Sequence, residues 1–114
     1  MPFLPSAIGY LRSDVSGARQ PWDENQIRYT AARLGYDLRK IVVFSATTTE
    51  PMRRLRVVVD RLGVDAIVTP GLGHFEPDEV PTELVGSADI VTVSPECVYA
   101  RVVAPAQTSA RSAE

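Results

Sequence analysis

The sequence is short of cysteine and of long apolar runs. Its single cysteine, Cys97, cannot form an internal disulfide or a cysteine-rich metal site, so we expect a reducing, cytoplasmic location. The longest apolar stretches, such as residues 41–44 and 57–59, fall far below the roughly 18 to 20 residues that span a bilayer. No basic segment followed by an apolar block opens the chain. We therefore expect neither membrane association nor secretion.

Net positive charge is also missing. Twelve basic and fourteen acidic side chains give the 114 residues a formal charge of −2, which argues against a protein whose main task is to neutralise a phosphate backbone. Hydrophobic residues make up 45% of the chain and charged residues 23%, which is typical of a globular domain. The length suits a single core. We predict one domain over residues 1–103 and a disordered tail over residues 104–114.

Apolar runs and amphipathic stripes alternate along the chain. Strands are predicted at 6–12, 37–45, 65–69, 87–93 and 97–103, helices at 21–34, 51–62 and 82–85, and loops at 13–20 and 70–81. Gly35 and Gly63 are placed to end the two longer helices. The second strand carries the apolar run typical of a strand buried on both faces. We predict an α/β fold with a mostly parallel sheet of four to five strands and helices on both faces.

In such a sheet, ligands bind at the carboxyl ends of the strands. The loops there carry polar side chains that we take as candidate ligand-binding residues, namely Arg12, Ser13, Asp14, Ser45 and His74. The only histidine, His74, is either a general base or an ordinary polar loop residue. The glycines beside it form neither a dinucleotide fingerprint nor a Walker loop. We predict no catalytic residues, no cofactor and no metal.

Aromatic residues do not alternate with basic ones along the sequence. Such an alternation would argue for the stacking of single-stranded nucleic acid. The aromatic residues can instead be explained by packing. Trp22 lies at the start of the first long helix, so we expect it to pack in the core or at its edge.

The opening Ile8-Gly-Tyr-Leu-Arg-Ser-Asp14 places a tyrosine and an arginine at the end of the first strand, and a Leu-Gly-Tyr-Asp segment ends the first long helix. Together with the order of segments over about residues 7 to 95, these features resemble the N-terminal catalytic domain of the serine recombinases, the resolvase and invertase group. Tyr10 and Arg12 are in register with the family's Y-x-R-V-S start. The family's L-D-R-L motif would fall on residues 72–75. The resemblance implies a resolvase-like fold.

The departures from that family bear on function. In the family, the serine two residues after the strand-end arginine attacks a DNA phosphodiester, and further arginines stabilise the charge on phosphorus. Here Asp14 occupies the nucleophile position, and Ser13 would point to the opposite side if the strand continued. The positions of the family's further arginines fall on His74, Pro77 and near Glu50. Only Arg12 remains, so the resemblance implies a domain that does not cleave DNA.

Family members also continue into a long helix and a helix-turn-helix module, whereas only a short polar tail follows Val103 here. Our leading hypothesis is therefore a stand-alone, catalytically inactive domain that acts as a protein-interaction or regulatory module, as a homodimer or with another protein. A second hypothesis is a DNA-associated regulator with weak phosphate contacts through Arg12, Arg19, Arg53 and Arg54. A third is a small enzyme whose pocket was rebuilt around Asp14 and His74.

Overall fold

A computed structural model describes residues 4–102, so the predicted tail over 104–114 lies outside the described residues. Strands and helices follow one another in the order β1 (Ser6–Arg12), α1 (Ser13–Ser16), α2 (Gln20–Arg33), β2 (Asp37–Phe44), α3 (Pro51–Leu62), β3 (Ala66–Thr69), α4 (Thr82–Val85), β4 (Asp89–Thr92) and β5 (Cys97–Tyr99). A 3₁₀ turn at Gly17–Arg19 links α1 to α2, and another at Leu72–His74 follows β3.

The five strands form one sheet in the order β2-β1-β3-β4-β5. The first four are parallel, and β5 pairs antiparallel with β4 at one edge. This arrangement confirms the predicted α/β class and the mostly parallel sheet. A helix lies in the chain between each successive pair of parallel strands, as a parallel connection requires.

The sheet is covered on both faces, as predicted. On the face we call the α3 face, α3 and α4 bury the larger side chains, including Tyr10, Ile67 and Phe75. On the opposite face, the α2 face, Ile27 and Ala31 of α2 pack against smaller residues of the strands. Each face therefore has its own apolar cluster, and the sheet separates the two.

The approach of α2 to the sheet is close because β1 carries a glycine at the crossing. A Cβ atom on Gly9 would lie 2.8 Å from Cγ2 of Ile27 and 2.9 Å from Cγ1 of Ile41. The absence of that atom lets the helix settle onto the strand. The short connection through α1 then holds the start of α2 beside the carboxyl end of β1.

Two local predictions were wrong. Residues 13–20 are not an open loop: α1 begins directly after β1, and the 3₁₀ turn leads into α2. Ser13 is therefore the first residue of a helix, so the strand geometry that would turn it away from Asp14 does not apply. The second strand, β2, is an edge strand with several exposed residues rather than one buried on both faces. An apolar run does not distinguish an edge strand from a central one.

The predicted ends of α3 are confirmed, with Pro51 in its first turn and Gly63 just beyond it at φ +65°. A left-handed residue at this position is the usual way to end a helix, and glycine adopts it without steric cost. Within residues 4–102, no helix is both long enough and apolar enough to cross a membrane.

Candidate functional site

Polar side chains gather where β1 and β3 end, at the carboxyl edge of the sheet. Arg12 is the last residue of β1, Asp14 follows in α1, and His74 ends the 3₁₀ turn after β3. Ser45, at the end of β2, makes different contacts: its hydroxyl bonds the hydroxyl of Thr47, and its N–H donates to Thr48 Oγ1. Of the predicted residues, the structure thus joins Arg12, Asp14 and His74 by direct or shared contacts.

The guanidinium of Arg12 is held by two carboxylates. Its Nη2 donates to Asp14 Oδ2 at 2.7 Å and its Nε to Asp14 Oδ1 at 3.2 Å, while Nη1 donates to Glu76 Oε1 at 3.3 Å. The hydrogen bond with Asp14 is the main reason why the pKa of Arg12 is raised. Bidentate pairing of this kind uses the donors that would otherwise bind a phosphate. The charge of the strand-end arginine is therefore already neutralised.

His74, interpreted from the sequence as either a general base or a polar loop residue, ends the 3₁₀ turn after β3 and is buried, with 6% of its surface exposed. Its Nδ1 accepts a hydrogen bond from the backbone N–H of Arg12 at 2.9 Å. Burial lowers the pKa of His74 below its usual 6.5, and the charge of Arg12 adds to the effect, against the opposing influence of Asp23 and Asp14. The ring is therefore neutral near pH 7, and its proton lies on Nε2.

Tyr10 fixes the backbone of His74 from the other face of the sheet. Its hydroxyl donates to the carbonyl oxygen of His74 at 2.9 Å. The Tyr10 ring stacks on Phe75 with centroids 5.3 Å apart and meets the edge of Phe44 at 5.7 Å. Burial raises the pKa of Tyr10 to about 12, so its hydroxyl remains protonated and acts as a donor at any physiological pH. The turn that carries His74 is thus anchored to the core.

A buried pair that sequence reasoning missed lies next to His74. Ser16, in α1, donates its hydroxyl to Asp23 Oδ2 at 2.7 Å, and each residue is only 7% exposed. Asp23 lies in the first turn of α2, where a negative charge interacts favourably with the helix dipole. The pairing was missed because α1 was predicted to be an open loop. Without that helical turn, the sequence gives no reason to bring residues 16 and 23 together.

These groups border a cavity of about 370 Å³ between α2 and the turns after β3 and β4. Its lining residues are Val15, Ser16, Arg19, Trp22, Asp23, Pro70, Gly71, Gly73, His74, Val93 and Ser94. Trp22 is 52% exposed, so the prediction that it packs in the core or at its edge was wrong. The guanidinium of Arg19 lies 4.6 Å from the centre of its ring.

Each of the four arginines predicted as phosphate contacts already contacts another group of the protein. Arg12 is bound by two carboxylates, and Arg19 lies over Trp22. Arg54 donates to the backbone oxygen of Thr49 at 2.7 Å. Arg53 pairs with Glu50 at 3.4 Å and lines a cavity of about 490 Å³ whose other charged residues are Glu50, Glu76 and Glu83. The local charge around Arg53 is therefore negative, which disfavours a phosphate.

Asp14 and His74, the pair on which the enzyme hypothesis depended, are not joined by a hydrogen bond in the described part of the chain. The carboxylate of Asp14 binds Arg12, and the Nδ1 of His74 takes a backbone N–H instead. Asp14 therefore does not orient the imidazole as the carboxylate of a catalytic triad does.

Within residues 4–102, no group of three or more His, Cys, Asp and Glu side chains is arranged to hold a metal ion. Comparison with protein-family models, with curated proteins and with solved structures finds no match for the chain. The chemistry available at the site consists of a neutral imidazole, a buried carboxylate and a guanidinium stacked on an indole ring.

Proposed function

We propose that this chain is a resolvase-like domain, related to the serine recombinases, that does not cleave DNA and acts as an interaction and regulatory module, with a second copy of itself as the partner. The strand-end Tyr10 and Arg12 and the order of the segments support the relationship. Two different parts of the molecule support the two halves of this proposal. The end of β1 supports the loss of DNA cleavage, and helix α2 supports the interaction with a second copy.

The contacts of Asp14 support the loss of DNA cleavage. In this proposal Asp14 stands where the recombinases have their nucleophilic serine, and its carboxylate binds the one arginine that remains. A phosphodiester entering here would have to displace Asp14 from Arg12 and would meet two negative charges, those of Asp14 and Glu76. Each transition-state donor that is lost costs about 3 kcal/mol, so the change from Ser to Asp and the missing arginines together abolish the reaction.

The outward face of α2 is the surface on which the proposed interaction with a second copy rests. Trp22, Asn25, Tyr29 and Ala32 are all exposed and follow one another at spacings of three, four and three residues. Trp22 is 52% exposed and Tyr29 64% exposed. Large aromatic side chains and arginines dominate the binding energy of protein interfaces, and the guanidinium of Arg33 lies 5.9 Å from the centre of the Tyr29 ring. We call these four residues the α2 seam.

A second copy suits the α2 seam because the seam is complementary to itself. Two α2 helices that pack antiparallel about a two-fold axis near Ile27 place Trp22 of one copy against Ala32 of the other, a large side chain against a small one. Within each α2, Glu24 pairs with Arg28 at 3.6 Å, so these two charges on the helix are balanced before two copies meet. Spacings of three and four residues are those of paired helices, and an isologous interface requires such self-complementarity.

Size-exclusion chromatography with light scattering tests the interaction. We expect the wild type to have twice the mass of one chain and Tyr29→Glu to have the mass of one chain, with an unchanged far-ultraviolet circular dichroism spectrum. Val57→Glu is the matched control, since Val57 is an exposed apolar residue on α3 and lies outside the α2 seam. A monomeric wild type, or a Tyr29→Glu variant that remains dimeric, would contradict the proposal.

Two assays test the proposal that the domain does not cleave DNA: titration of a fluorescent DNA duplex with the protein, and nicking of a supercoiled plasmid. We expect no nicking and no binding that weakens as the salt concentration rises. Salt-sensitive binding that is lost in an Arg53→Ala, Arg54→Ala double variant would instead favour the DNA-associated regulator.

A further inference from the structure

The cavity between α2 and the turn after β3 is built from buried polar groups that play no part in the function proposed above. Asp23 and His74 both line it, and each has more than nine-tenths of its surface buried. They come from separate elements: Asp23 is in α2, and His74 is in the turn anchored by Tyr10. Their contacts with Ser16 and Arg12 fix both side chains before any ligand enters.

Each of the two groups has one hydrogen-bonding atom left over. Asp23 Oδ2 accepts the Ser16 hydroxyl, whereas Oδ1 has no hydrogen-bond partner within residues 4–102. His74 Nδ1 accepts the Arg12 N–H, so the proton of the neutral ring lies on Nε2, which likewise has no partner in that range. Within residues 4–102 the only fully buried polar side-chain atom without a partner is Thr69 Oγ1, so Asp23 Oδ1 and His74 Nε2 are not fully enclosed although their residues are largely buried. Both residues line the cavity, which therefore offers a ligand an accessible acceptor and an accessible donor.

The remaining walls suit a flat ring. The indole of Trp22 and the side chains of Val15 and Val93 provide the apolar surface, and the guanidinium of Arg19 lies 4.6 Å from the centre of the indole ring. The volume of about 370 Å³ is at the lower end of the range for small-molecule sites. A planar heterocycle with an anionic substituent fits this combination of an aromatic wall, a donor, an acceptor and a guanidinium.

We propose that this cavity binds the base of a guanine nucleotide. The N1–H and 2-amino groups donate to the Asp23 carboxylate, the neighbouring O6 accepts from His74 Nε2, the ring lies against Trp22 and the phosphate meets Arg19. Asp23 can accept both donors because Oδ2 has a second lone pair beside the one that binds Ser16. Adenine presents only one donor beside an acceptor on this edge, so it makes one hydrogen bond fewer to Asp23 and binds more weakly. Because Trp22 belongs to both the cavity and the α2 seam, nucleotide binding is also measured in a variant that does not form the dimer.

Intrinsic fluorescence reads this site directly, because Trp22 is the only tryptophan in the chain. We expect guanosine monophosphate to change the emission saturably and adenosine monophosphate to bind at least about tenfold more weakly, since adenine makes one hydrogen bond fewer to the Asp23 carboxylate. Inorganic phosphate alone should have no effect. The absence of saturable binding, equal binding of both nucleotides, or the same response to phosphate alone would each overturn the proposal.

Exchange of the carboxylate for an amide gives a second readout. In Asp23→Asn, we expect guanosine monophosphate to bind about 10- to 100-fold more weakly, because a hydrogen bond to a charged group is lost. Xanthosine monophosphate should then bind better than guanosine monophosphate, since the amide N–H meets the 2-oxo group of xanthine. If Asp23 had only a structural role, Asp23→Asn would not change the preference from guanine to xanthine. Unchanged base preference in a folded Asp23→Asn would overturn the assignment.

His74→Asn tests the donor separately. The asparagine Oδ1 takes the place of Nδ1 as acceptor for the Arg12 N–H, whereas the Nε2 donor is removed, so we expect guanosine monophosphate to bind about two- to tenfold more weakly. Asp60→Asn, which changes an exposed carboxylate on α3 outside the cavity lining, is the control and should bind as the wild type does. Repeating the titration in Tyr29→Glu separates this proposal from the dimer, because that variant keeps the cavity and loses the α2 seam. Full affinity in His74→Asn would contradict the assigned donor.

Discussion

The two faces of the sheet are built differently. On the α3 face, Tyr10 packs between Phe44 and Phe75, and the cluster contains only apolar residues and one tyrosine whose hydroxyl is satisfied. On the α2 face, the core combines Leu11 and Ile27 with alanine and valine side chains and, among the described residues, has no buried aromatic ring. At the carboxyl ends of the strands it borders a cavity lined by Asp23 and His74. One face thus stabilises the fold, and the other leaves room for a ligand. His74 connects them, because Tyr10 binds its backbone from one face while its ring lines the cavity of the other.

The largest expected effect on stability comes from a substitution in the core of the α3 face. Phe75 is 1% exposed and stacks on Tyr10, so Phe75→Ala leaves a cavity and should lower the free energy of unfolding by about 3 to 5 kcal/mol, as measured by urea denaturation at one protein concentration. Val57→Ala, at an exposed position of α3 outside the α2 seam, is the control and should change it by about 0.5 kcal/mol or less. A small loss in Phe75→Ala would mean that the stacked aromatic rings do not hold this face together.

The second largest effect on stability comes from a substitution where α2 crosses β1. It tests how tightly the part of the α2 face outside the cavity is packed. In Gly9→Ala, the new methyl group meets Ile27 and Ile41 at less than 3 Å, so the free energy of unfolding should fall by about 1 to 3 kcal/mol. Combination with Ile27→Ala removes the closest contact. The double variant should therefore be less destabilised than the sum of the two single variants. Strict additivity would show that helix and strand do not meet at Gly9.

A pH titration examines the residue that connects the two faces. Burial lowers the pKa of His74 below 6.5, so the unfolded chain takes up a proton more readily than the folded one. The free energy of unfolding should therefore fall as the pH drops through about 6.5, with a slope approaching about 1.4 kcal/mol per pH unit until the folded protein also binds the proton. His74→Asn should remove this slope, since the chain has no other histidine. An equal slope in the variant would assign the effect to carboxylates.

The smallest effect concerns a charge on the surface of the α3 side. Arg53 and Glu50 are both largely exposed and pair at 3.4 Å. Arg53→Ala should change the free energy of unfolding by less than about 1 kcal/mol, because exposed ion pairs contribute little. A clearly larger loss in a denaturation experiment would show that the α3 face depends on its surface charges as well as on its apolar core.

Much of the fold could be predicted from the sequence because most of the signals are local. The apolar run of β1, the stripe of α3 between Pro51 and Gly63, and the short helix α4 were all predicted within about a residue of their observed ends. The position of β2 at the edge of the sheet was not, because strand order depends on contacts between distant segments. Local periodicity contains no information about these contacts.

The candidate site was predicted only in outline. Arg12, Asp14 and His74 were placed at the correct edge of the sheet, since parallel strands bring their carboxyl ends together. Ser16 and Asp23 were missed, and Trp22 was expected to be packed rather than half exposed. These errors share one cause: the orientation of side chains around the start of α2 depends on the turn formed by α1, which carries no strong propensity of its own.

The sequence by itself determined the α/β class, the alternation of strands and helices, and the presence of polar residues at the strand ends. These properties follow from the periodicity of apolar residues, which acts over a few neighbouring positions. Only the tertiary structure decided that Asp14 and Glu76 neutralise Arg12. It also decided that His74 is buried, that its Nδ1 accepts a backbone N–H, and that Asp23 lines the same cavity as His74. Apart from the neighbouring Arg12 and Asp14, these contacts join residues more than fifty positions apart, and burial, which changes their chemistry, exists only once the chain has folded.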